Sequence, residues 1–280
     1  MKFFQTLLKI DRRIIYLVMT AVVIFPLFRP LGLGVNSGPR AKALFSAVDA
    51  IPAGKTILLS VDFDPSSMPE LYPMLAAIMR HAFAKDLKVL MTGLWLPGSG
   101  LADRAVQTIP QEYGKVYGKD VVYLGWKAGV DAVILGMGEN IKGVFPVDYY
   151  GHPLDSLPMM LEVQKLRDIP MVVSISAGTP GYTDWLTYAQ TRYGVKMGAG
   201  VTAVSAADAY PFLQSGQLTG LLAGMKGGAE YEILVSRAGY SKALMPAVAA
   251  MDSQSLAHIV ILMLVVIGNI AYFVTRKRGA

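Results

Sequence analysis

Residues 55–70 read KTILLSVDFDPSSMPE. The run from Lys55 to Val61 is short, apolar and bounded by polar residues, which is the pattern of a buried strand. It ends in Asp62-Phe63-Asp64-Pro65, and a helix is expected to open almost at once. Ser67 suits the N-cap, Pro69 the first turn, and Glu70 follows Ser67 at the capping-box spacing. Leu71, Met74, Leu75, Ile78 and Met79 then recur at helical spacing to about Lys85, giving one apolar face. A strand, a tight turn and an amphipathic helix make the first half of a βαβ unit.

The same alternation continues outward. Strands are expected at 88–94, 121–124, 171–175 and 195–204, with 132–138 either a strand or a buried helical turn. Helices are expected at 101–113, 158–167, 183–193 and 206–214, and residues 139–157 read as loop. Residues 217–235 are rich in small side chains and read as a helix broken at Gly227-Gly228, suited to close packing on another helix. Near-continuous apolar strands separated by helices imply α/β architecture, a three-layer domain on a mainly parallel sheet covered on both faces. No internal repeat or heptad pattern is present.

The two ends differ from the middle. Residues 14–33 and 256–274 are apolar stretches of about 20 residues, long enough to cross the hydrocarbon core. The expected order is a basic tail (1–13), transmembrane helix one (14–33), and a linker with a short amphipathic helix (34–54). The α/β domain (55–250), transmembrane helix two (256–274) and a second basic tail (275–280) follow. Residues 14–33 exceed a signal-peptide apolar region and lack a small-residue cleavage site after them, which favours an uncleaved anchor.

The formal charge of +6 belongs to these flanks. Lys2, Lys9, Arg12, Arg13 and Arg29 face only Asp11 at the start, and Arg276, Lys277 and Arg278 close the chain, so the domain between is close to neutral. A nucleic-acid partner is therefore not expected. The positive-inside rule puts both termini in the cytoplasm and the domain outside, a two-pass arrangement in the cell (inner) membrane. Gly268 and Asn269 in the second span suit close helix packing, with helix one or a second copy as the partner. The absence of cysteine excludes disulfides and thiolate metal sites.

Ligands of open parallel sheets sit at the carboxyl ends of the strands. That rule selects Asp62, Asp64, Ser66, Thr92, Trp95, Ser99, Trp126, Ser174, Ser176, Thr179 and Asp184 as candidates. Asp62 and Asp64, at i and i+2 after a strand, are the residues able to face one hard cation such as Mg²⁺. A strand running into Asp-x-Asp resembles the first motif of the haloacid dehalogenase-like phosphohydrolases. That resemblance implies Asp62 as nucleophile, Asp64 as acid/base and Thr92 as phosphate-binding residue. It covers about 40 residues; the flap after the motif is replaced by a helix, and no late acidic pair follows. Gly98-Ser99-Gly100 before a helix suits an anion but lacks the lysine of a P-loop. His81 and His152 have no nucleophile elbow to serve. Trp95, Trp126, Tyr149, Tyr150, Tyr182 and Trp185 fall in or near loops, where aromatics either stack on ligands or pack onto the core.

Three functions follow, in order of expectation. The first is a membrane-anchored structural or accessory component without cofactor, its domain serving self-association or partner binding, with lipid and either a second copy or other membrane proteins as partners. The second is a membrane-tethered hydrolase using Asp62, Asp64 and Mg²⁺. The third is a ligand-sensing or solute-binding domain with the aromatic loops as its pocket.

Overall fold

Seven residues of the first strand, Thr56–Asp62, are buried without exception, and neighbours of the same kind lie on both sides. A computed structural model describes residues 11–33 and 36–276. One of its two compact units spans Asn36–Ala247, and the other comprises the chain ends.

In the first unit, helix α2 (Pro39–Asp49) precedes strand β1 (Thr56–Asp62), helix α3 (Met68–Ala84) and strand β2 (Lys88–Gly93). Helix α4 (Ser99–Thr108), strand β3 (Val121–Trp126) and helix α5 (Val130–Glu139) follow. A stretch with short helical turns at Ile141–Val144 and Pro158–Glu162 leads to β4 (Met171–Ser176). Helix α6 (Tyr182–Trp185) continues through a π-helical turn, Leu186–Gln190, into Thr191–Tyr193. Then come β5 (Lys196–Val201), α7 (Ala206–Gln214), β6 (Gly220–Ala223) and α8 (Gly224–Arg237). All six strands are parallel, in the order β3-β2-β1-β4-β5-β6. This is the doubly wound order, with its topological switch point between β1 and β4.

Alternate strand residues face two separate cores. Ile57, Leu59 and Val61 of β1 join α2, α3, α4 and α8 on one face. Leu58, Leu90 and Val172 join α5, α6 and α7 on the other. The α/β class and the sheet covered on both faces thus follow from the continuous apolar strands.

Several local expectations need correction. The 217–235 segment is β6 followed by α8, and Gly227 and Gly228 lie inside the helix. The small residues are needed for close approach: a Cβ at Gly220 would stand 2.3 Å from the Leu44 nitrogen, and one at Gly227 2.7 Å from the Leu222 carbonyl carbon. Their packing partners are α2 and β6 of the same unit. Helix α2 itself inserts Ala41, Leu44 and Val48 into the core and is part of the compact unit. Ser67 makes no side-chain cap; Glu70 instead accepts the Ala203 N–H at 2.9 Å, which ties α3 to the loop after β5. Residues 130–139 are helical, and α4 ends at Thr108 because Pro110 lies two residues on. Asp62, Trp126 and Ser176 are the last residues of their strands, where positions just past the strand ends were expected for all three.

The second unit is two helices. Helix α1 (Arg12–Phe28) is N-capped by Asp11, whose carboxylate accepts the Arg13 N–H at 2.9 Å. The backbone leaves the helix at Arg29, so the expected span 14–33 is helical only to Phe28. Helix α9 (Pro246–Arg276) contains a 29-residue stretch, Pro246–Val274, with an 18-residue window of mean hydropathy 2.3, long and apolar enough to cross a membrane. Leu17, Phe28, Leu262, Val265 and Phe273 of this unit are all more than half exposed. Asp252 of α9 is buried, and its carboxylate accepts the N–H groups of Leu31, Gly32 and Leu33 at 2.7, 2.8 and 2.7 Å. Ser253 Oγ donates to Val23 of α1 at 2.8 Å. Four of the seven basic residues on which the expected orientation rests, those at positions 2, 9, 277 and 278, lie outside the described residues.

Candidate functional site

The strand ends divide into a closed centre and open flanks. At the centre, Ser60, Asp62, Thr92, Ser174 and Ser176 are all buried. Period-two alternation puts Ser60 and Asp62 on the face of Leu58, and Ser174 and Ser176 on the face of Val172. The Asp62 carboxylate accepts Ser60 Oγ at 2.8–2.9 Å, Ser174 Oγ at 3.0 Å and the Leu94 N–H at 2.6 Å. One side chain thus joins β1, β4 and the loop after β2. Burial pushes its carboxyl up to about 7, against those donors.

The loop after β2 seals this point. A Cβ at Gly98 would lie 2.6 Å from the Phe63 carbonyl oxygen and 2.9 Å from that of Val61. Gly98 therefore brings the loop backbone onto the end of β1, and the Gly-Ser-Gly stretch acts as a packed turn. On the other side Gly181 packs on Ser176, where a Cβ would meet the Ser176 Cβ at 2.5 Å. The crevice that doubly wound sheets usually offer at their switch point is filled here by backbone and by Asp62.

Asp64 does not join Asp62. It accepts the Ser66 N–H at 3.0 Å and Ser66 Oγ at 2.6 Å, and these donors hold its pKa below the ordinary carboxylate value. The two carboxylates have separate partners, one inside the sheet edge and one in the following turn. Among the described residues no group of three His, Asp or Glu side chains is placed to hold a metal.

The flank over β2 and β3 is open. A cavity of about 440 Å³ lies there, lined chiefly by Leu96, Ser99, Trp126, Lys127, Phe145, Val147 and Tyr149. Trp126 and Tyr149 are exposed there yet held, while Phe145 is buried. Trp126, 38% exposed, donates Nε1–H to the Leu94 carbonyl at 3.1 Å. Tyr149 stacks obliquely on Tyr123 with centroids 4.6 Å apart, close to Gly125, whose φ of 82° admits the turn. Lys127 Nζ donates to the Val144 carbonyl at 2.5 Å and stands 5.8 Å from the Phe145 ring centre. Beside the cavity, Tyr150 OH donates to Asp103 at 2.5 Å.

Asp148 organises this loop. Its carboxylate accepts the N–H groups of Tyr150 and His152, the Tyr117 hydroxyl at 2.7 Å and His152 Nδ1 at 3.0 Å. Burial works to raise its pKa, but the Tyr117 and His152 donors hold it below the ordinary value. His81, by contrast, is a core residue. It is fully buried, bonded to Tyr231 OH at 2.8 Å and Asp49 at 3.3 Å, and stacked on Phe45. Burial lowers its pKa to about 4, opposed by Asp49.

The sequence-derived candidates therefore fall in three places. Ser99 and Trp126 line the flank cavity, and Trp95 is exposed in the same loop. Asp62, Thr92, Ser174 and Ser176 form the closed centre. Ser66 and Thr179 sit in turns outside it, and Asp184 lies in α6, its carboxylate accepting the Gly181 N–H at 2.8 Å. Gly268 and Asn269 lie on α9, where a Cβ at Gly268 would meet nothing within 4 Å and Asn269 is exposed. Sequence reasoning missed Ser60, although Ser-x-Asp at alternate strand positions signals it. It also missed Leu96, Lys127, Phe145 and Val147, which carry no chemical signature. Comparison with known proteins found no family model, curated protein or solved structure that matches the chain.

Proposed function

We propose that the chain is a membrane-anchored ligand-binding protein whose α/β domain takes an apolar, ring-bearing small molecule at the ends of β2 and β3. The carrying observation is the flank cavity of about 440 Å³, where exposed Trp126 is fixed by its hydrogen bond to the Leu94 carbonyl and exposed Tyr149 by its packing on the Tyr123 ring. Binding pockets of this size are mostly apolar with a few polar groups, and prior fixation lowers the ordering cost of binding. Ser99, Lys127 and the Tyr149 hydroxyl are the polar groups of this one, together with Asp148, whose carboxylate is already bonded to Tyr117 and His152.

In this reading both helices of the other unit are anchors, the termini are cytoplasmic and the domain is extracytoplasmic. The support is the apolar outer surface of α1 and α9 and the pinning of residues 31–33 onto Asp252, which satisfies backbone N–H groups just where α1 ends. The exposed Asn269, next to Gly268, favours a second copy of the chain as a further partner in lipid, because an amide there seeks an acceptor on another helix.

Native mass spectrometry of the detergent-solubilised full chain tests the ligand. A retained apolar small molecule in the unmodified protein, lost in Trp126→Ala and Val147→Asp while both variants still unfold cooperatively, is the expected result. Equal retention in all three, or no molecule retained and none bound from an aromatic fragment set, contradicts the reading.

A further inference from the structure

The wall of the β2–β3 cavity has its acceptors engaged and its donors left over. The Leu94 carbonyl takes Trp126 Nε1–H at 3.1 Å, the Val144 carbonyl takes Lys127 Nζ at 2.5 Å, and the Gly125 carbonyl takes Thr92 Oγ1 at 3.0 Å. The Tyr123 carbonyl takes the Tyr149 N–H at 2.9 Å. Asp148 is the carboxylate of this wall, and its side chain is fully covered. It receives the Tyr117 hydroxyl, His152 Nδ1 and the N–H groups of Tyr150 and His152, so it offers the cavity neither an open charge nor a free acceptor.

Lys127 is the opposite case. It is exposed, and it forms no ion pair among the described residues. Its ammonium is nevertheless held in place. Nζ is bonded to Val144 and stands 5.8 Å from the Phe145 ring centre, and both residues line the cavity. An ammonium carries three donors, and Val144 takes one of them. The Tyr149 hydroxyl makes no hydrogen bond among the described residues, so it is a second donor without an acceptor. A fixed positive charge and a free hydroxyl thus share a wall with the exposed Trp126 ring.

A ring without charge leaves the Lys127 donors to water. An aromatic amine meets a like charge and a wall whose acceptors are in use. A ring that carries one carboxylate uses both the aromatic surface and the donors, and bonds between an ammonium and a carboxylate are the stronger kind. We propose that the ligand of the β2–β3 cavity is a small aromatic carboxylate, its ring against Trp126 and Tyr149 and its carboxylate on Lys127 Nζ. This rests on the ring-binding reading given above and adds the charge and the polar end of the molecule.

The test is isothermal titration of the full chain in detergent with probes that share one ring system: naphthoate, naphthamide and naphthylmethylamine. The carboxylate should bind at least about tenfold more tightly than the amide, and the amine more weakly than either. Lys127→Met removes the charge and keeps an aliphatic stem. It should bring the carboxylate to within about threefold of the amide and leave amide binding unchanged. Equal binding of carboxylate and amide by the unmodified protein, or a carboxylate preference kept in Lys127→Met, overturns this proposal and leaves the ring-binding reading standing. No binding of any of the probes by either protein overturns both.

Discussion

The centre and the β2–β3 flank of the same sheet edge use polar and aromatic residues in opposite ways. At the centre, five polar side chains are buried and spend their hydrogen bonds on one another and on nearby backbone. At the flank, Trp126, Tyr149 and Tyr150 are anchored at one end and open to solvent at the other. The difference teaches that the rule placing ligands at strand ends selects an edge, and that the packing of loops on that edge decides which part of it stays open. Here the loop after β2 both closes the centre, through Leu94 and Gly98, and supplies Leu96 to the flank.

Protonation of the centre gives the largest expected effect. Asp62, raised to about 7, keeps its proton in the folded domain where the unfolded chain has lost it. Its contribution is complete below about pH 4 and is lost as pH rises through 7, an amount of about 4 kcal/mol. His81, lowered to about 4, runs the other way: its contribution is complete above pH 6.5 and is lost as pH falls toward 4, about 3 kcal/mol. The two oppose each other between about pH 4 and 6.5. Thermal melts of Asp62→Asn should therefore gain on the unmodified protein as pH rises and show the steeper acid loss of His81 alone. Parallel melting curves for the two proteins would break the account of a buried, proton-bearing centre.

Closure of the centre is tested by adding one carbon. Gly98→Ala forces a Cβ against two backbone oxygens and should cost about 3 kcal/mol. Gly100→Ala, two residues on, meets nothing within 4 Å and should stay within about 0.5 kcal/mol. Equal melting temperatures for the two variants would mean that the loop is free to lift from β1.

At the flank the effect should appear in binding. Trp126→Ala should weaken retention of an aromatic ligand by about tenfold or more while costing the fold about 1 kcal/mol for the lost Leu94 bond. Phe63→Leu, at the centre, should lower stability with no change in binding. The reverse pattern would move the site back to the switch point. Smallest is the membrane contact. Asn269→Leu should weaken self-association in lipid by about 1 kcal/mol, measured by dilution of labelled chains in bilayers.

Much of the fold was legible because its signals are local. The run from Lys55 to Asp62 and the spacing of Leu71 to Met79 state a strand and a helix outright. Strand β6 was not legible. Only four residues long and glycine-led, it reads as helix until the approach of α2 at Gly220 is known. The site was legible by residue type and not by grouping. Asp62 and Asp64 look like a pair in the sequence, but strand alternation turns one inward and the following turn claims the other. Trp126 and Tyr149 announce themselves as loop aromatics, whereas Leu96, Phe145 and Val147 become a pocket wall only through packing across 50 residues of chain.

The three tryptophans separate the two regions directly. Trp95 and Trp126 stand at the flank, and Trp185, fully buried, lies in the helix that follows β4 beside the centre. With 5-fluorotryptophan incorporated, ¹⁹F NMR of the full chain titrated with a one- and two-ring aromatic fragment set should move the Trp95 and Trp126 resonances and leave Trp185 in place. Movement of Trp185 alone, or of none of the three, would contradict binding at the β2–β3 flank.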